Sequence, residues 1–453
     1  MKNYKLRAIV VILTALSLNG LAQPSKPLAA FDVTSYHFAI TVTDANDSIH
    51  CIATILATAR TQPITTLTLN LQNIQPNGKG MKVAEVINNA TGKAIAFTHM
   101  YNILTLQVPA SKLYNIAVIY SGIPSNGFII GKNKFGERTW FGDNWPNRAS
   151  CWLPCVDLPA DKAAVTWQVT APTKYNVVAN GSNTKQIKNN NGTTNWEFVE
   201  TNPIPTKVMT IGIAALQKEC TYTTQIPICN YYYPQTYATQ HNKMKVADEV
   251  VTFLSNTIAA YPFAKLNNVQ STTMFGGMEN ANNIFYDEYT VDAGGSMTAL
   301  IVHEIAHQWW GNTVTETDYS HLWLSEGFAT FFTNYYFEKT VSVDSANKRF
   351  AADYKKVAAF LKGNKRPVVD TTSNLMSLLN ANSYEKGGLF LQALRKQLGD
   401  IVFFKGIQTY YKTYAYKNAN TNDFKRIMET LTSKNLSVIF TQWLYSSTLP
   451  PMP

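Results

Sequence analysis

Apolar and polar residues alternate along the first half of the chain. The runs FAITVTDA, TTLTLNLQNI, ILTLQVPA and NIAVIYSG, all between about Ala30 and Gln217, put side chains of one kind at every second position. That is the period of a strand with one face buried. Asn, Gly and Pro interrupt the text between them, and strands spaced this regularly predict an all-β sandwich or saddle. The β character persists through KYNVVANGS and KVMTIGIAALQ, and then the period changes. HNKMKVADEVVTFLSNTIAAYPF, His241 to Phe263, reads as the first amphipathic helix, and helical runs dominate from there to the end. Among them are LWLSEGFATFFTNYYFE, VDSANKRFAADYKKVAAFLKG, GLFLQALRKQLG and FKRIMETLTSKN. The expected protein is therefore multidomain α+β, with an N-terminal β domain over residues 23–217 and a mostly helical domain over 218–453. No internal repeat or low-complexity tract interrupts that division.

The first residues belong to neither half. Lys2, Lys5 and Arg7 precede an apolar run from Ala8 to Leu18, and Gly20-Leu21-Ala22 offers a small-residue cleavage site before Gln23. This is the layout of a secretory signal peptide over residues 1–22, so export to the periplasm or the medium is expected. The run is short for a bilayer and no later run reaches that length, so no stable membrane span is expected.

Composition changes the picture little. The formal charge is +10 from 39 basic and 29 acidic residues, and three of the basic ones sit in the leader. No Lys/Arg-rich run carries interleaved aromatics, which leaves nucleic-acid binding without a footprint. Five cysteines are too few for a disulfide scaffold. In an exported chain Cys220 and Cys229 form the favoured pair across a strand-like stretch, whereas Cys151 and Cys155 could pair or stay free.

The chemistry is concentrated in HEIAHQWWGN, His303 to Asn312, in a chain with only seven histidines. Residues four apart on a helix lie on one face, so His303 and His307 can aim at one metal ion. Glu304 sits one position round, able to reach a metal-activated water without being a ligand. A catalytic zinc needs a third protein ligand, and Glu326, near the start of the next helical run and set among Leu324, Phe328 and Phe331, is the carboxylate to supply it. Upstream, FGGMENANN carries Gly276, Gly277, Met278, Glu279 and Asn280. Two glycines allow close backbone approach to a ligand, an extended peptide can add to such an edge as a strand, and Glu279 offers a negative charge to an amine. A Gly-Gly hairpin turn with a surface acid is the competing reading.

Together these motifs resemble the zinc aminopeptidases typified by aminopeptidase N, a family that includes the leukotriene hydrolases. The resemblance covers most of the chain after the leader, with an N-terminal counterpart at Leu153, Pro154, Asp157 and Pro159. It implies a β domain followed by a thermolysin-like zinc catalytic domain, one zinc ion per chain, and peptides with a free N-terminus as substrates. It also implies that Tyr384, in the Tyr-Glu-Lys-Gly context of residues 384–387, donates to the oxyanion of the tetrahedral intermediate. In that reading Glu304 is the general base, His303, His307 and Glu326 hold the metal, and Gly276 to Asn280 bind substrate, with Met278 as one wall of the pocket for the first side chain.

Two departures stand out. Family exopeptidases carry a glutamine or glutamate in the β domain that helps bind the amine, and only Asp143 and Asn144 are near the expected place. The chain also stops at FTQWLYSSTLPPMP, where family chains continue into a helical domain, so no C-terminal helical domain and a more open cleft are expected. A thermolysin-like endopeptidase and a catalytically silent peptide-binding module on the same scaffold are the alternatives, with epoxide hydrolysis, known in one branch of the family, a more distant one. No sequence feature specifies the oligomeric state.

Overall fold

The computed structural model of the protein describes residues 30–222 and 226–452; the expected leader, residues 1–22, lies outside them. The alternating runs become strands of three sheets. The largest has eight strands, in the order Ser182–Lys188, Thr193–Pro205, Lys162–Pro172, Phe31–Thr41, Ile49–Ala59, Leu113–Ile123, Gly80–Asn88 and Lys93–Ala94. Burial follows the sequence period. In Lys162–Pro172 every second residue is buried, from Ala163 through Val165, Trp167 and Val169 to Ala171. The neighbouring Phe31–Thr41 runs parallel to it and sets Phe38 beside Trp167 and Ile40 beside Val169, so large side chains share one face. Two smaller sheets complete this half. One holds Ile64–Asn70, Ile103–Ser111 and Phe97–Met100, and the other Asn176–Ala179, Ile211–Ala214, Arg138–Gly142 and Phe128–Lys132.

The second half opens with a sheet rather than with a helix. Its five strands are ordered Gln217–Thr221, Ile228–Tyr232, Leu266–Ser271, Asn283–Asp287 and Gly277–Met278. Leu266–Ser271 pairs in parallel with strands on both sides and every residue in it is buried. A strand covered on both faces has no reason to alternate, so LNNVQS and NIFYD carry no period of two. The helix expected over 241–263 is confined to Ala247–Thr257, preceded by turns and the short helix Pro234–Gln240. Cys220 and Cys229 lie directly opposite each other on adjacent strands and form a disulfide, while Cys51, Cys151 and Cys155 are free thiols. Helices then dominate, including Thr298–Ala306, Trp323–Thr340, Val343–Gly363 and Gly387–Leu398. Among the described residues no helix is long and apolar enough to cross a membrane.

The seam between the halves positions the site. The apolar core of the β domain continues into Met278, Ala281 and Phe285. Asn180 Nδ2 donates to the Ala281 carbonyl at 2.7 Å, and the Gly181 N–H donates to Asn282 Oδ1 at 2.8 Å. Lys162 reaches across from its strand to the carbonyls of Asn312 and Thr313, at 3.1 and 2.7 Å, beside a fully buried Lys207–Glu316 pair. Buried ammonium groups require such partners, so the β domain clamps both the segment around Glu279 and the loop after His307.

Candidate metal centre

The helix Thr298–Ala306 ends against His307, and its pitch brings the rings of His303 and His307 to 4.7 Å. Glu326, in the first turn of Trp323–Thr340, closes the group: its Oε2 is 3.2 Å from His303 Nε2 and 3.3 Å from His307 Nε2. The three donor atoms all lie within 4.8 Å of one another. The Trp310 carbonyl, which can only accept, lies 3.1 Å from His307 Nδ1, and Ser325 Oγ lies 3.0 Å from the same nitrogen. Nδ1 therefore carries the hydrogen and Nε2 keeps its lone pair for a cation.

Charge distribution agrees with that role. Burial lowers His303, keeping its imidazole neutral. Burial alone would raise Glu326, but His307 and the hydrogen bonds from both histidines hold it well below the usual carboxylate range. His307 is raised to about 10, because Glu326, Glu279 and Glu304 outweigh the effect of its burial. Without a cation the proton stays on His307 beside Glu326, and a metal ion must displace it.

The turn after the second histidine depends on Gly311, whose φ is +103°. A Cβ there would overlap Ser325 Oγ, which lies 3.0 Å from His307 Nδ1. Gly311→Ala is expected to weaken metal affinity about 10- to 100-fold by disturbing this support. Competition against a chromogenic chelator measures it, and unchanged affinity would show that the Ser325–His307 contact does not tune the centre.

Glu304 is buried next to the triad. Burial pushes its carboxyl well above the usual range, with Glu279 and Glu326 adding to the effect of burial and His307 opposing it. It packs against Gly277, where an added Cβ would fall 2.6 Å from Glu304 Cδ, so only glycine lets the Gly277–Met278 strand pass this close. Glu279 is held by its backbone. Its carbonyl accepts from Asn312 Nδ2 at 2.6 Å and Gln308 Nε2 at 3.2 Å, and Gln308 Oε1 accepts from the Asn282 N–H at 2.7 Å. Gln308, Gly311, Asn312 and Ser325 have no place in the metal-ligand spacing itself, although three of them lie inside HEIAHQWWGN. Carboxamides following a metal pair were the available signal.

Tyr384 sits in a π-helical turn, Asn382–Lys386, with its ring 5.8 Å from that of His303 and 13° from parallel to it. Such turns recur where a side chain must be redirected at a site. Burial raises the phenol well above its ordinary range, and Glu326, Glu279 and Glu304 reinforce this, so it remains a hydrogen donor at neutral pH.

These groups surround one cavity of about 250 Å³, lined by the triad, Glu304, Tyr384, Gly276, Gly277, Met278 and Glu279, with Trp145, Phe275, Leu300 and Leu379 completing it. Asn280 is fully buried and does not line it. Neither Asp143 nor Asn144 lines it either. Asp143 pairs with Arg148 at 2.7 Å and accepts from Thr273 Oγ1 and the Met274 N–H. Asn144 donates to the carbonyls of Thr206 and Met209 and accepts from Trp152 Nε1. The β domain's own contribution to the lining is Trp145.

A β domain clamped onto a domain with two histidines from one helix, a carboxylate from the next and a buried acid beside them carries a candidate metal centre at its seam. The chain belongs to peptidase family M1: residues 33–208 match the Peptidase M1 N-terminal domain and residues 242–443 the Peptidase family M1 domain. It is similar to the glutamyl aminopeptidase of Bitis rhinoceros, 28% identical over 330 residues, which cover 69% of this chain and 34% of that protein. Aminopeptidase A of Gloydius brevicauda gives the same figures. The chain thus spans about a third of the length of these curated relatives. Among solved structures, the M1 zinc metallopeptidase of Deinococcus radiodurans shares the fold with a TM-score of 0.81 at 23% identity, covering 95% of this chain and 97% of that one. Yeast LTA4 hydrolase gives a TM-score of 0.82 at 18% identity, covering 94% and 69%.

Proposed function

We propose that the protein is a zinc-dependent aminopeptidase that removes the N-terminal residue from peptides. The observation that carries this reading is the meeting, in one cavity, of a metal-holding triad, a buried acid and a second buried carboxylate. Two imidazole nitrogens and one carboxylate oxygen suit zinc with a position left open. Bound there, zinc supplies a Lewis acid and lowers the pKa of water towards neutrality. Glu304 takes the proton of the attacking water and returns it to the leaving amine. Tyr384 donates to the oxyanion as it develops. Glu279 pairs with the substrate's α-ammonium, which fixes the register one residue from the end. The relatives named aminopeptidase support the reaction class.

Export belongs to the same proposal. The basic-then-apolar opening supports it, and so does a disulfide between Cys220 and Cys229, a bond that persists in oxidising compartments.

The decisive assay is hydrolysis of amino-acid anilides beside their N-acetylated forms, with and without a zinc chelator. Chelator-sensitive turnover of the free-amine compounds alone is expected. Glu279→Ala should abolish it. Equal turnover of blocked compounds would replace this reading with an endopeptidase, and no turnover with zinc bound would leave a silent binding module.

A further inference from the structure

The cavity divides chemically into two parts. In its polar part the histidines and three glutamates are all engaged by the metal, the water and the amine of the proposed reaction. What remains of the side-chain lining, apart from Tyr384, is Trp145, Phe275, Met278, Leu300 and Leu379. Among the described residues no lysine or arginine lines the cavity.

Arg148 packs against this apolar wall without entering it. Its guanidinium lies 5.6 Å from the centre of the Phe275 ring, and its Nε donates to the Trp145 carbonyl at 2.7 Å. Its charge is already paired with Asp143 at 2.7 Å. The aromatic part of the wall also packs against neighbouring rings. The Trp145 ring meets Phe275 edge-on at 6.1 Å and Tyr319 edge-on at 5.8 Å, and Trp145 is only 2% exposed.

On the aminopeptidase reading, the geometry points to a first side chain that is large and apolar, aromatic or leucine-like, with Trp145 as the β-domain residue that sets the preference. Such a side chain gains by leaving water against these walls. An acidic first residue has the opposite balance: against the apolar wall its carboxylate would be desolvated with no lysine or arginine beside it, within a cavity already holding Glu279, Glu304 and Glu326. The name glutamyl aminopeptidase is therefore not carried over from the relatives to this chain, because the described lining offers a glutamate side chain no lysine or arginine to pair with.

The test is kcat/KM for Phe-, Leu-, Ala- and Glu-aminocoumarins with the zinc-loaded enzyme. Phe and Leu should exceed Ala by about 10- to 100-fold, and Glu should fall below Ala. Trp145→Ala should lose more on Phe than on Ala, narrowing their ratio by about tenfold. Leu379→Arg, which leaves the Trp145 packing in place, should raise the Glu/Leu ratio by a similar factor. Calorimetric titration of zinc-loaded Glu304→Gln with L-phenylalanine, L-alanine and L-glutamate reads the same pocket without turnover. A wild-type preference for Glu, phenylalanine binding no tighter than alanine, or ratios unchanged in both wall variants would overturn the proposal. Failure of the zinc-loaded enzyme on every free-amine substrate would instead remove the aminopeptidase reading on which it rests.

Discussion

Glu304→Gln is expected to keep its zinc and lose about 10²- to 10⁴-fold in kcat, the range that a positioned general base contributes. The substitution removes a proton acceptor and little else. Glu304 is 4% exposed, makes no side-chain hydrogen bond to either histidine, and is one residue from His303 without sharing the triad. Burial and two neighbouring acids raise its carboxyl well above the ordinary range, and a cation held by the triad would draw it back towards the ionised form that accepts a proton. Glutamine has the same shape, so zinc content by atomic absorption should match the wild type. A variant with full zinc and near-normal kcat would transfer the base role to another group, and Glu279 would be the first to test.

Tyr384→Phe is the second large effect, expected at about 10²- to 10³-fold in kcat with KM changed far less, as for other donors aimed at a developing oxyanion. The ring itself is retained. It stays parallel to His303 at 5.8 Å, so packing around the metal should survive. Steady-state kinetics on one free-amine anilide, with zinc content measured in parallel, separates loss of the hydroxyl from loss of the metal. An increase in KM alone would make Tyr384 a binding group for the ground state.

The two-part architecture was readable because each half follows a different period. Alternation in KAAVTWQVTAP is the burial pattern of that strand, and VDSANKRFAADYKKVAAFLKG is a helix over the same residues, Val343–Gly363. The strands Leu266–Ser271 and Asn283–Asp287 left no trace, since strands buried on both faces need no alternation. The helix expected to Phe263 stops at Thr257 because the chain must turn back into Leu266–Ser271, a demand imposed by the sheet and absent from the local pattern.

For the site, local spacing was enough wherever the geometry is local. His303, Glu304 and His307 are related by the pitch of one helix, and any chain with that helix has that relation. Glu326, Glu279 and Tyr384 come from elements far apart in sequence, so spacing could nominate them but could not bring them together. Nor could it reveal that Asp143 and Asn144 spend their polar atoms on Arg148, Thr273 and backbone carbonyls, or that Trp145 is the residue the β domain presents to the cavity. Those assignments depend on how two cores close against each other along the Asn180, Lys162 and Phe285 seam. The sequence by itself determined which side chains are candidates for the chemistry, because periodicity and side-chain type are local properties. Only the tertiary structure decided which of them share a cavity and what that cavity excludes, because long-range packing and the satisfaction of buried polar groups are properties of the whole chain.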